Sequence, residues 1–206
     1  MSLVACPSRQ PAEAPVPEPP ARPLASLVAQ QVIVAPAHSL RETDALGWAA
    51  QIPRSREYLR ALDDTLAAEL RARGLGTSWV FPPALVRAAK ANPSYAVDPY
   101  VLAADPLREP GFDASERLTG PIVAQLRTMV ALQENARYVL LPVELRFERA
   151  KDDPAKGVAV LKTALVDGRL GEVRWMSDVR SEPSPTLSPV VLSSLANKLA
   201  DLITVR

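Results

Sequence analysis

Cysteine and histidine are almost missing: the chain has one of each, Cys6 and His38, in 206 residues. A usual zinc site takes three or four such ligands, so a conventional zinc enzyme is excluded and no metal or cofactor is expected. One cysteine closes no disulfide within the chain, so cysteine usage does not report the redox compartment. Glycine is scarce too, with eight residues. Neither GxxxxGK nor GxGxxG occurs, so no phosphate-cradling loop is recognisable. Net charge is close to zero, with 24 basic against 23 acidic residues. No global field then steers the chain toward nucleic acid or anionic lipid. Long apolar runs are also lacking, since no stretch approaches the ~18 residues that read as a membrane-spanning helix.

Proline is the residue in excess, with 21 in the chain. Positions 7, 11, 15, 17, 19, 20 and 23 are all proline. Interleaved with Ala, Glu and Val, such a segment buries too little apolar surface to offset its ordering entropy, and it favours extended polyproline geometry. About twenty residues of that kind reach roughly 60 Å. Just before the tract, Leu3, Val4, Ala5 and Cys6 resemble a bacterial lipobox, which implies lipidation of Cys6. A secretory leader needs a basic segment and ~7–15 apolar residues ahead of cleavage. Only five residues precede Cys6, so this reading expects an in-frame leader upstream of Met1. Residues 1–29 are then a lipidated N-terminus and tether, and residues 30–206 a globular head.

The head reads as α+β. Val32 to Ala35, stopped by Pro36, is a short buried strand. Residues 54–73 carry Leu59, Leu62, Leu66 and Leu70 at helical steps, with Gly74 as the stop. Ser78 to Phe81 reads as a second strand, ended by Pro82 and Pro83, and a helix follows to about Ala91. Asp98 and Pro99 suit the start of a short helical piece. Asp113 with Glu116 suggests a cap, and Pro121 opens a helix with Ile122, Val123, Leu126, Met129 and Val130 on one face. Tyr138 to Leu141 is a continuous apolar run that passes into alternating Val143, Leu145 and Phe147, as in a long strand half-covered at its far end. Val158 to Val166 is another strand, turned at Asp167 and Gly168 into a third with alternating Val173, Trp175 and Val179. Ser188 and Pro189 start a last helix with Leu192, Leu195, Leu199 and Leu202 along one side. The sum is a mixed sheet of about five strands, three of them a C-terminal meander, packed by three to four helices.

The segments ARYVLLPVELRF and VAVLKTALVDGRLGEVRWMSDV, with the closing amphipathic helix, resemble the C-terminal half of a domain shared by bacterial envelope proteins. These are the TolB N-terminal domain, the curli-secretion lipoprotein CsgG, the flagellar lipoprotein FlgO and the penicillin-binding-protein activator lipoproteins. Asp167, Gly171, Glu172 and Trp175 match the turn of that pattern, which spans roughly residues 31–204. The resemblance implies a head on the periplasmic side of the envelope, anchored to the outer membrane, that binds another envelope protein without catalysis. It also leaves open an oligomeric secretion or pore accessory. Asp and Gly as turn formers, a solvated Glu172 and a core-facing Trp175 explain the same residues on structural grounds alone.

For chemistry, His38 follows a strand end, where sites often lie in sheet proteins. It has Ser39 beside it and Asp44 near in sequence, yet adjacency rarely aligns a triad and no GxSxG elbow occurs. A hydrolase using His38 is the enzymatic alternative, and a loop histidine the bland one. Asp63 and Asp64 are neighbours on a helix, about 100° apart, and read as a solvated face. The long segment from Asn92 to Gly120 carries Tyr95, Tyr100 and Phe112 among prolines. Aromatics on a stiffened loop are good partner anchors, so these three are the candidate binding residues. Packing back onto the domain is their structural alternative.

Overall fold

Strand β1, Val32–Val34, lies parallel to β2, Tyr138–Arg149, with Val32 opposite Tyr138. Strand β3, Gly157–Asp167, and β4, Glu172–Arg180, follow as an antiparallel meander, giving the order β1-β2-β3-β4. The computed structural model describes residues 22–109, 111–112, 117–134 and 136–205. Cys6, nearly all of the proline tract and the Asp113 to Glu116 cap lie outside the described residues.

Helices cover both faces of this mixed sheet, so the head is α+β. Helix α1, Ser55–Leu70, and helix α4, Pro189–Asp201, pack on one face. Their apolar stripes, Leu59, Leu62, Leu66 and Leu70 with Leu192, Leu195 and Leu199, meet Val32, Val34, Leu140, Leu145 and Leu161. Helices α2, Pro82–Ala91, and α3, Pro121–Ala131, cover the other face. There Leu85, Ile122, Leu126 and Met129 meet Ile33, Val139, Leu141, Val143 and Val166. Each helix has proline in its first turn, where the missing N–H has no partner to lose, except α1. Packing is already in place ahead of residue 30, because Leu24 and Leu27 are buried and the Leu24 N–H bonds the Leu202 carbonyl at 3.1 Å.

The sheet has four strands, not five. The segment expected as a second strand, Ser78 to Phe81, forms a single parallel bridge between Val80 and Ile33. Two hydrogen bonds hold it, Val34 N–H to the Val80 carbonyl and Val80 N–H to the Val32 carbonyl. It goes no further because Pro82 starts α2 at once. Bulges change the expected alternation as well. Pairing shifts between Pro142 and Glu144, leaving Val143 as the extra residue. Pro142 has no N–H to give a central ladder, and a bulge is where such a residue fits. Val143 therefore stays on the α3 face, while Leu145 and Phe147 turn to the α1 and α4 face. A second bulge, between Leu165 and Val166, likewise puts Val173 and Trp175 on opposite faces.

Candidate functional site

The chain leaving β1 runs Ala35, Pro36, Ala37, His38, and this turn meets a carboxylate. Asp63, on the inward side of α1, accepts the Ala37 N–H at 2.7 Å through Oδ1. It is 5% exposed, and its Oδ2 is buried without a hydrogen bond. The solvated helix face expected for both neighbours is thus wrong for Asp63 and holds only for Asp64, which is exposed. Burial pushes the Asp63 carboxyl up to about 7. Asp64 adds to the rise, whereas the Ala37 amide, the nearby Tyr100 hydroxyl and Arg60 oppose it. Tyr100 stays short of regular hydrogen-bond geometry with Oδ2, so it acts here as an electrostatic neighbour. The Arg60 guanidinium stacks over the Tyr100 ring, 5.3 Å from its centre.

His38 sits beside this carboxylate's anchor but is tied elsewhere. Its N–H bonds the Pro142 carbonyl at 3.2 Å, and its Nε2 is buried with no partner. Burial lowers its pKa to about 4, helped by Arg108 and opposed by Asp105 of the short helical turn Asp105–Arg108. Ser39 and Asp44 do not build a triad on it. The Ser39 carbonyl accepts the Leu145 N–H, and Asp44 accepts the amides of Leu46, Trp48 and Ala49, holding the next turn. A neutral imidazole and a buried acid thus flank the end of β1. Burial moves the two in opposite directions, the acid up to about 7 and the imidazole down to about 4.

The three aromatic candidates are placed separately. Tyr95 is 61% exposed, with its hydroxyl on Asn92. Tyr100 is half-buried in a turn, Pro99–Val101, whose start is fixed by Asp98 accepting the Tyr100 N–H at 3.0 Å. Phe112 packs against the second core cluster. Their segment folds back over the sheet, because Leu102, Ala104, Leu107 and Leu118 are all buried and the Ala103 N–H bonds Gln125 of α3. Exposed apolar side chains remain on it at Tyr95, Val97 and Val101. The aromatic pattern could find the segment, but not Val97 and Val101.

A second concavity was not signalled by the sequence. A groove of about 840 Å³ runs between the start of α1 and the start of α4, with Ile52, Pro53, Tyr58, Leu187, Pro189 and Leu192 in its lining. Tyr58 packs edge-on to Phe147 beneath it, and burial pushes its phenol up to about 12. Among the described residues no cluster of His, Cys, Asp or Glu is arranged to hold a metal ion, and no helix is long and apolar enough to cross a membrane.

No family model matches the chain, and no curated protein matches it significantly. Solved structures give distant likenesses. One is the PelC dodecamer from Paraburkholderia phytofirmans, 16% identical over 91% of this chain and 94% of that one, with a TM-score of 0.40. Lipoprotein GNA1162 from Neisseria meningitidis is 16% identical over 84% and 96%, with a TM-score of 0.38. The C-terminal domain of LpoB from Escherichia coli is 13% identical over 73% and 81%, with a TM-score of 0.33. None of them assigns the chain to the TolB, CsgG or FlgO families, and the functional reading rests on this chain's own residues.

Proposed function

We propose that this chain is a lipid-anchored protein of the bacterial envelope whose α+β head binds another envelope component and performs no reaction. The observation that carries the reading is the tetrad Leu3, Val4, Ala5, Cys6 placed directly before a proline tract and followed by a separately packed head. Acylation at Cys6 supplies the anchor, and several acyl chains hold a protein stably where one holds it marginally. The tract then serves as a spacer, and the face of the envelope is the periplasmic side of the outer membrane. Binding runs through the segment after α2. There Tyr95, Val97 and Val101 are 61%, 43% and 65% exposed on a loop whose other apolar residues hold it to the domain. A rigid platform with a few exposed apolar anchors loses little entropy on contact. Tyr100 and Phe112 support that platform from beneath.

Two measurements test the reading. Labelled palmitate supplied to cells expressing the full gene product should enter the wild-type protein and not Cys6→Ala; an unlabelled wild type removes the address. A photo-crosslinking residue at Val101 should give a discrete adduct with one envelope protein. If the same probe at Val205 on the C-terminal tail captures that protein and Val101 does not, the binding loop is misassigned.

A further inference from the structure

A concavity of about 340 Å³ opens beside the β1 edge of the sheet, where the chain passes from the turn Arg71–Leu75 after α1 to the start of α2. Val80, whose bridge to Ile33 borders the sheet here, lies in its wall. Its charged lining is two arginines, Arg71 and Arg87, with no carboxylate among them. Elsewhere Arg41, Arg73, Arg137, Arg146 and Arg180 are each held by carboxylates. Among the described residues neither Arg71 nor Arg87 has an ion pair or a hydrogen bond. Both are exposed, so two positive charges face one hollow uncompensated.

Two further observations mark this hollow. Trp79, also in its lining, is 4% exposed, and its indole N–H is buried with no acceptor. A buried donor left unpaired costs stability, and native folds keep few of them. Arg71 is also held in place. Its guanidinium lies over the Phe81 ring, 4.4 Å from the centre, and its stem crosses Gly76, where a Cβ would come within 3.1 Å of Cγ. Gly76 has ordinary helical angles, so the glycine supplies room for the arginine rather than backbone freedom. An aromatic ring fixes the guanidinium without neutralising it, as a carboxylate would.

We propose that this concavity binds a phosphate monoester. Such a group carries a charge of about −1.5 to −2 at pH 7, which two guanidinium groups match, and guanidinium offers paired donors to phosphate oxygens. Arg71 and Arg87 hold the oxygens, and the Trp79 indole N–H and the side-chain amide of Gln133, at the end of α3, supply further donors. The wall of Val80, Pro83 and Ala84 takes the apolar part of the ester. A hollow of this size admits a small ester or one headgroup. A carboxylate brings a single charge and satisfies one arginine, so it binds more weakly. A soluble ester and a lipid with a terminal phosphate present the same chemistry to the site.

The test is a titration of the full chain with glycerol 3-phosphate at constant ionic strength, followed by nitrogen–proton NMR. The indole signal of Trp79, identified by its loss in Trp79→Phe, should shift saturably while those of Trp48 and Trp175 stay. Arg71→Gln and Arg87→Gln should each bind about 10–100-fold more weakly, as loss of one charge-assisted hydrogen bond implies. Acetate should also bind more weakly than the phosphate. Flotation with phosphatidylcholine vesicles carrying phosphatidic acid separates the sources. Vesicle binding that is lost in R71Q/R87Q assigns the lipid headgroup, and binding of glycerol 3-phosphate without vesicle binding assigns a soluble ester. The proposal is overturned if glycerol 3-phosphate gives no saturable shift, if both folded arginine variants bind as wild type does, or if Trp48 or Trp175 shifts in place of Trp79.

Discussion

Two side chains at the end of β1 titrate in opposite senses, and the consequences can be worked out residue by residue. Asp63 binds its proton more tightly folded than unfolded, about 7 against 3.8, so its contribution to stability falls as pH rises from about 4 to 7. His38 binds its proton less tightly folded, about 4 against 6.5, so its contribution rises over pH 4 to 6.5. In the wild type the two slopes should oppose each other between about pH 4 and 6.5. Asp63→Asn should unmask the histidine, and stability by urea denaturation should then climb by up to ~3 kcal/mol over that window. His38→Gln should unmask the acid, with a fall of similar size that continues to pH 7. A flat profile in both variants would mean that neither group is buried as described. At pH 8 Asp63→Asn should also be the more stable protein, by about 1–2 kcal/mol, because it keeps an acceptor for Ala37 and sheds a buried charge.

Gly157 makes a second case at this scale. A Cβ there would come within 2.5 Å of Leu46 and 2.6 Å of Trp48, whose ring stacks edge-on to Phe147 at 5.6 Å. Gly157→Ala should cost about 1–3 kcal/mol, as overpacking does. The near-ultraviolet circular dichroism, which reports Trp48, should change with it. An unchanged spectrum and midpoint would show that this corner yields freely.

Among the elements, the ends of α1 and α4 are joined by one buried arginine. α1 runs on into a wide turn, Arg71–Leu75, closed by Gly74 at a positive φ that favours glycine. The side chain of Arg73 in that turn is 3% exposed and reaches Glu69 at 2.8 Å, Asp201 at 2.7 Å and the Thr204 carbonyl at 3.0 Å. Arg73→Met keeps the apolar stem and removes the donors. It should lower stability by roughly 2–3 kcal/mol, since the accepting groups lie partly in water and are recovered only in part. A midpoint within error of wild type would contradict the latch.

Helix periodicity made α1, α3 and α4 legible in the sequence, because Leu59 to Leu70, Ile122 to Val130 and Leu192 to Leu199 repeat at the spacing of one buried face. The meander was legible for the same kind of reason, alternation broken by Asp167 and Gly168. What failed depended on partners distant in the chain. Asp63 and Asp64 are the same chemistry side by side, and only the Ala37 amide, 26 residues away, decides which is buried. The β2 bulge left a single trace, Pro142, and its effect on Leu145 and Phe147 follows from pairing with β3 rather than from local pattern. The Val80 bridge fell short of a strand because Pro82 was already committed to α2.

At the scale of the whole molecule, the proposed function joins an anchor, a spacer and a head whose contact surface is the Tyr95 to Val101 loop. All of it depends on where the head is held. Intact mass spectrometry of the protein from its native membrane measures that most directly. The expected product begins at Cys6 and carries acyl chains on that residue; a species that retains Met1 and a free thiol at Cys6 would contradict the account.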